Sequence, residues 1–294
     1  MAQVTITQAN FMTKVDNYLH DTITGTTSSA GNADKKDLID SELIHYANDY
    51  FNGWWVYVAS QLRRISDFQT ATGTVEWLTA TTAQIGASAA YELHRHNRDK
   101  KLISANQALV LAYPWYYSQV EDESTLTGTG STDTEYQVPA TFTEFPEQIA
   151  YKVEETNDIE YFDITNFKTR KAAGTMYFYA DITLGEPILL VGKTYLTQFT
   201  SSASSTTELD NSQADVVAML AASLFCRELS ATANTRDAGR YHDLEKEYKD
   251  MFDEHVEKLA EPRLTRDELD YSWLTGVEKE SFRDTARGSI THQL

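Results

Sequence analysis

Twice along this chain the spacing of apolar residues changes period, and the period decides whether a segment buries one face as a helix or as a strand. Up to about residue 117, and again from about residue 210, apolar side chains recur at i, i+3, i+4 and i+7. Between Glu135 and Phe199 they alternate every second residue. A chain written helical, then β, then helical is expected to fold as a helical scaffold interrupted by a small sheet.

The first helical segment has Thr7 as N-cap and Phe11, Val15, Tyr18 and Leu19 on one face, followed by a polar loop from Thr22 to Ala33. From Asp37 to about Ser66 the set Leu38, Leu43, Ile44, Ala47, Tyr50, Phe51, Trp54, Trp55, Val58, Leu62 and Ile65 predicts a helix capped by Asp40 or Ser41. Gly53 inside it costs about 1 kcal/mol relative to Ala and marks a kink or a close backbone approach. Thr70 to Thr79, with Val75 and Trp77 among threonines, predicts a strand or an extended arm. Helical spacing returns over Ala87–Asn97 and Asp99–Tyr117, the latter striped by Leu102, Ile103, Ala105, Ala108, Leu109, Leu111, Ala112 and Trp115 and stopped near Pro114.

After a polar loop from Glu121 to Thr134, short strands are predicted at about 135–138, 147–153, 159–164, 176–182 and 188–199, punctuated by Pro139, Pro146, Gly174 and Gly185-Glu186-Pro187. The Ser/Thr run 200–207 reads as a hinge. Asp210 or Ser212 then caps a helix to about Ala231 carrying Val216, Val217, Leu220, Leu224 and Leu229, and a second helix runs from Thr235 to Ala260 with Tyr241, Leu244, Tyr248, Met251, Phe252, Val256 and Leu259 on one face. Past Pro262 no stripe remains, yet Tyr271, Trp273, Leu274, Phe282, Ile290 and Leu294 are retained, which predicts an arm that orders on a partner. The expected fold class is therefore α+β: a helical bundle scaffold with an inserted small antiparallel β domain and an extended C-terminal arm. Its parts are an N-terminal helical region (1–134), a β-rich insert (135–199), helices completing the bundle (200–262) and a docking arm (263–294).

At 294 residues the chain can bury a proper core without staples. Its lone cysteine, Cys226, lies in an apolar run and reads as a small core residue. No basic n-region precedes an apolar core and no run approaches 18 apolar residues, so a soluble protein made in the cytoplasm is expected, with no membrane contact. Forty-four acidic residues against 25 basic ones give a formal charge of −19. Such a surface repels polyphosphate and disfavours groove-reading DNA recognition. Two explanations stay open: a solubility surface, including one suited to high salt, or a channel lining that does not grip DNA passing through it.

Residues with chemical potential are few. His94 and His96 lie two apart, a spacing that serves a metal on a strand but not on a helix, and the flanking run favours helix. There is no P-loop, G-x-G-x-x-G, G-x-S-x-G or C-x-x-C. Acidic doublets such as Glu154-Glu155 are common on an acidic surface. The basic patches Arg63-Arg64, Arg95–Lys101 and Lys168–Lys171 are short and suit pairing with acidic patches on neighbouring copies. No catalytic, cofactor-binding or metal-binding residue is assigned. Aromatics in excess of one core, Trp54, Trp55, Trp77 and Trp115 with the Tyr113–Tyr117 cluster, are candidate subunit-interface residues.

The run from His94 through Asn97-Arg98-Asp99-Lys100-Lys101 to Asn106-Gln107-Ala108-Leu109, followed by Tyr113-Pro114-Trp115 and, after a loop, Tyr136-Gln137-Val138-Pro139, resembles head-tail adaptor (connector) proteins of tailed phages and archaeal tailed viruses. The later layout, a β segment feeding the helix Ala214–Leu229 and then Arg236–Phe252, is similar too. The resemblance covers about residues 37–260. It implies a helical bundle assembled as a ring, often a dodecamer matching the portal, in the neck between capsid and tail. The arm residues Tyr271, Trp273, Leu274, Phe282, Ile290 and Leu294 would dock on the portal protein, a stopper or tail-completion protein would bind below, and DNA would pass unrecognised. Two rival expectations are a β-domain decoration, fibre or other tail-associated binding protein, and a hydrolase built on acidic residues with His94 and His96.

Overall fold

A computed structural model describes residues 4–122, 135–155, 158–164, 167–180, 188–233 and 235–259. Along the chain run β1 (Ile6–Thr7), α1 (Gln8–Leu19), β2 (Thr22–Thr26), β3 (Asp37–Ile39), a 3-10 turn (Ser41–His45), β4 (Trp55–Val58), β5 (Gln61–Gln69), β6 (Thr74–Trp77), β7 (Ala90–His94) and α2 (Arg98–Leu111). Then come β8 (Ser118–Asp122), β9 (Glu135–Gln137), β10 (Gln148–Glu155), β11 (Asp158–Asp163), β12 (Phe167–Ala172), β13 (Thr175–Ala180), β14 (Ile188–Thr194), β15 (Thr206–Thr207), α3 (Asn211–Thr232) and α4 (Thr235–Leu259). Among the described residues they form two compact units, one of residues 117–196 and one of residues 4–116 with 197–259.

In the larger unit β2 to β7 form one antiparallel sheet in the order β2-β7-β4-β5-β6-β3. The segment leaving β2 reaches the far edge, where Ser28 N–H donates to the Ile39 carbonyl at 2.9 Å and Ser29 bridges Ile39. The sheet thus curls into a small barrel filled by Leu38, Val56, Val58, Ile65, Phe68, Val75, Trp77, Tyr91 and Leu93, with Phe51 and Leu43 from the connecting turns. Beside it α3 is buried all round from Val216 to Cys226, as a central helix must be. Helices α1, α2 and α4 pack against it, α4 through Tyr248, Phe252 and Val256. Asp210 and Gln213 form a capping box at the start of α3. The Ser/Thr run before it is pinned: Thr207 pairs with Ile6, and Phe199 exchanges hydrogen bonds with the Asn106 side chain at 2.8 and 2.9 Å.

The smaller unit has a four-stranded sheet, β11-β10-β14-β8, and a three-stranded sheet, β12-β13-β9, all antiparallel. Ile149, Met176, Phe178, Ile188 and Leu190 from both sheets share one core with Val138 and Phe142 from the segment between β9 and β10. Strands β8 and β12 were absent from the sequence expectation because neither alternates cleanly; β12 reads Phe-Lys-Thr-Arg-Lys-Ala and is exposed along most of its length.

The expected helical bundle with a small β insert is therefore wrong. Fifteen strands in four sheets and four α-helices make up the described residues, and sheet dominates. The region 37–66 is not a helix but β3, a 3-10 turn, β4 and β5, and 87–97 holds β7 rather than a helix. The cause is specific. A register shift between Ile65 and Asp67 bulges β5 and brings Ile65 and Phe68, three apart, to the same interior, which imitates helical spacing. The tight β4–β5 hairpin was invisible because its two-residue turn is Ala59-Ser60, both at positive φ (50° and 59°), where Asn-Gly is the usual signal. Replacing Ala59 by Asn and Ser60 by Gly relieves that strain, and a gain of about 1 kcal/mol is expected in urea denaturation. Gly53 is no helix kink; it sits at φ +82° in the turn before β4. The segment 263–294 lies outside the described residues.

Candidate functional site

The densest set of charged side chains lies in the larger unit, where α1, β2, β7 and α2 converge. Lys101 on α2 is fully buried; its ammonium donates to Asp16, to Asp21 Oδ1 at 3.2 Å, to Thr22 Oγ1 at 3.4 Å and to His94 Nδ1 at 3.0 Å. Because His94 Nδ1 accepts from Lys101, its proton sits on Nε2, which donates to Glu92 Oε2 at 2.9 Å. Arg98 completes the set, with Nε 3.6 Å from Glu92 and its guanidinium 4.1 Å over the Tyr57 ring. Three carboxylates thus face two permanent cations, with the His94 imidazole between them.

The local fold explains the convergence. Asn97 caps α2, its side chain accepting from Asp99 N at 2.8 Å, and so fixes the helix phase that turns Arg98, Lys101, Ser104, Ala105, Ala108 and Leu109 inward. His20 ends α1 in the left-handed conformation, φ 49°, which turns the chain and brings Asp21 beneath Lys101. Burial holds the Asp16 carboxyl above its ordinary range, with Lys101 only partly offsetting it. Burial also opposes ionisation of Glu92, but there the His94 hydrogen bond and the nearby cations win and lower it.

Next to this hub a cavity of about 130 Å³ is lined by Asp21, Arg95, His96, Cys226, Arg240 and Tyr241, with Leu19, Leu229, Leu244 and Tyr248 among its walls. Asp21 Oδ2 has no hydrogen-bond partner among the described residues. A Cys, a His and an Asp around one cavity invite a catalytic reading, but the chemistry runs the other way. Burial first, then the charges of Glu245 and Asp21, push the Cys226 thiol up to about 12, whereas an activated thiol is depressed. His96, lowered mainly by burial, meets the Tyr241 hydroxyl at 3.4 Å and stacks edge-on with Phe225. Among the described residues no group of three or more His, Cys, Asp and Glu side chains is arranged to hold a metal ion.

His94 and His96 sit at and just past the end of a strand, and their polar atoms have different partners: His94 in the hub, His96 on Tyr241. Of the interface candidates, Trp77 is a barrel core residue whose indole N–H donates to the Lys35 carbonyl at 3.3 Å. Trp54 stacks with Tyr50 and Phe51 at 5.6 and 5.2 Å, Trp55 is half-buried on β4, and Trp115 is 38% exposed with its ring edge-on to Phe252. Tyr271, Trp273, Leu274, Phe282, Ile290 and Leu294 lie outside the described residues. Reading the sequence missed Asp16, Asp21, Glu92, Arg98 and Lys101. Their one signal was the small-residue stripe Ser104, Ala105, Ala108, Ala112 on α2, which continues backwards through Lys101 and Arg98 and so places both inside.

Compared with models of known protein families and with curated proteins, the chain matches none.

Proposed function

We propose that this chain is a structural subunit of a tailed-virus particle, a head-tail adaptor that repeats as a ring below the portal and joins capsid to tail. The proposal rests on the resemblance of the 94–139 passage and does not include a helical-bundle fold. The observation that carries it is the placement of charge. The hub ties four elements together, Lys101 and His94 having no exposed surface, while among the described residues most acidic side chains outside it reach the surface. That arrangement stiffens a subunit and offers no activated nucleophile.

A second reading, a β-domain decoration, fibre or other tail-associated binding protein, is favoured by one observation: residues 117–196 form a two-sheet unit with a core of its own. One experiment separates them. Purified particles carrying a chain truncated after residue 262 are compared with wild type by quantitative mass spectrometry and reconstruction. The adaptor reading expects a folded, soluble chain that fails to incorporate, and density for the full chain at the neck. Normal incorporation of the truncated chain, or density along the tail or on the capsid surface, favours the second reading.

A further inference from the structure

One carboxylate oxygen of the interior is left over. Asp21 is only 4% exposed, and its Oδ1 is taken up by the Lys101 ammonium and the Thr22 hydroxyl, both at 3.2 Å, while Oδ2 has no partner among the described residues. A buried charged oxygen without a donor is costly, so the space beside it is expected to supply one. That space is the cavity of about 130 Å³, of which Asp21 is a wall residue, and the Asp21 charge acts on two other wall residues, His96 and Cys226.

The exposed part of the same lining carries the opposite charge. Arg95, just past β7, and Arg240, in the first half of α4, are both exposed, and neither guanidinium has a carboxylate, carbonyl or ring partner among the described residues. The main chain fixes one of them against the buried carboxylate, since Arg95 N–H donates to the Asp21 carbonyl at 2.9 Å. Half-buried Leu19, Leu229 and Leu244 supply apolar wall. The cavity therefore offers an unpaired acceptor inside, two unpaired cationic forks where it meets solvent, and an apolar side.

Its size and charge select the ligand. There is room for about four water molecules at about 30 Å³ each, too little for a nucleotide or a lipid. A simple anion would face the Asp21 carboxylate and a simple cation would face two guanidiniums, so each meets repulsion as well as attraction. A zwitterion meets only attraction. We infer that this cavity binds a small zwitterion, a free α-amino acid with a short aliphatic side chain, whose ammonium donates to Asp21 Oδ2, whose carboxylate accepts from Arg95 and Arg240, and whose side chain packs on the three leucines. The planar donor fork of a guanidinium matches a carboxylate, which is why the two arginines take that end. Because Arg240 lies on α4 while Asp21 and Arg95 adjoin β2 and β7, the bound molecule clamps α4 to the edge of the barrel. The inference goes beyond the adaptor proposal and holds wherever the chain sits in a particle.

The test is isothermal titration of the full chain with L-alanine, beside propionate, which lacks the ammonium, and ethylamine, which lacks the carboxylate. L-Alanine is expected to bind saturably with a Kd on the order of 1 mM or tighter, and the other two roughly tenfold or more weakly. Arg95→Gln combined with Arg240→Gln is expected to weaken L-alanine roughly a hundredfold, with unchanged circular dichroism because both side chains are exposed. Arg64→Gln, at an exposed arginine of β5 outside the cavity, should leave the affinity as it is. Absence of saturable L-alanine binding up to about 50 mM would leave the cavity to water alone and overturn the inference. Propionate or ethylamine binding as tightly as L-alanine overturns it too, by showing a plain anion or cation site. So does an arginine double variant that binds L-alanine as well as wild type does.

Discussion

Replacing Lys101 by Met is expected to lower folding stability by about 3–5 kcal/mol, the usual range for removing one partner of a buried ion pair. Methionine keeps the stem and its packing, so the loss isolates the charge. Asp16 and Asp21 would be left facing each other in the interior, and the imidazole of His94 would lose its ammonium donor and keep only the Thr22 hydroxyl at 3.0 Å on Nδ1. Urea denaturation followed by tryptophan fluorescence measures the loss as a shift in midpoint. Adding Asp16→Asn and Asp21→Asn to Lys101→Met should recover more than half of it, because the uncompensated charges go with the lysine. If the triple variant is no better than the single one, the hub is held by packing and not by its charges.

The pH dependence has a definite sign. Asp16 binds its proton more tightly in the folded chain than at its ordinary value of 3.8, because of burial. A raised carboxyl pKa destabilises the fold at neutral pH, and the penalty shrinks as pH falls through the raised value. Without Lys101 to offset burial, that value rises further. The deficit of Lys101→Met against wild type should therefore narrow on acidification from pH 7 to about pH 5.

Gly73→Ala is the second large effect, about 3 kcal/mol or more. Gly73 lies at φ +64° in the turn before β6, and a Cβ there would stand 1.9 Å from the Asp40 carbonyl oxygen, which is backbone and cannot swing aside. Asp40 carries much at this point. Its N–H donates to the Gly73 carbonyl at 3.0 Å, its Oδ1 caps the 3-10 turn through Glu42 N at 3.1 Å, and its Oδ2 accepts the Tyr91 hydroxyl at 2.5 Å. Displacing it loosens the turn and the barrel wall together. Gly53→Ala is the matched control, also at positive φ (+82°) but with Arg64 Nη2 at 3.9 Å as its nearest neighbour, so only dihedral strain of about 1 kcal/mol is expected. Equal losses at the two positions would show that the close approach to Asp40 has no energetic weight.

Both positions show where reading the sequence stops. Gly73 falls in a segment expected to be extended, but nothing local says that Asp40, thirty-three positions earlier, runs within contact of it. Lys101 was read as part of a basic surface patch because charged residues are seldom fully buried. Its burial depends on Asp16, Asp21 and His94 arriving from three other elements, and no spacing within α2 announces them.

What the sequence determined by itself was local. The Thr7 cap and the Phe11/Val15 face set α1, the Asp210-x-x-Gln213 box and an unbroken apolar run set α3, the Tyr248/Phe252/Val256 stripe set α4, and the alternation in 148–155 and 175–180 and the short apolar run 188–191 set strands, because in each case the signal and the structure it specifies lie within one segment. Over residues 37–66 and 87–97 the same method failed, although the extended reading of 70–79 holds β6, since an apolar-rich stretch with a bulge satisfies the helical and the strand template at once. Only tertiary structure separated them. Pairing β4 with both β5 and β7, and bringing Ser28 and Ser29 round to Ile39, satisfies the backbone groups that a helix would have satisfied internally, and it encloses Val56, Ile65, Phe68, Val75 and Leu93 in one barrel. The hub beneath that barrel is likewise a tertiary fact: a buried ammonium is tolerated only where folding supplies its counter-charges, and those come from residues 16, 21 and 92–94.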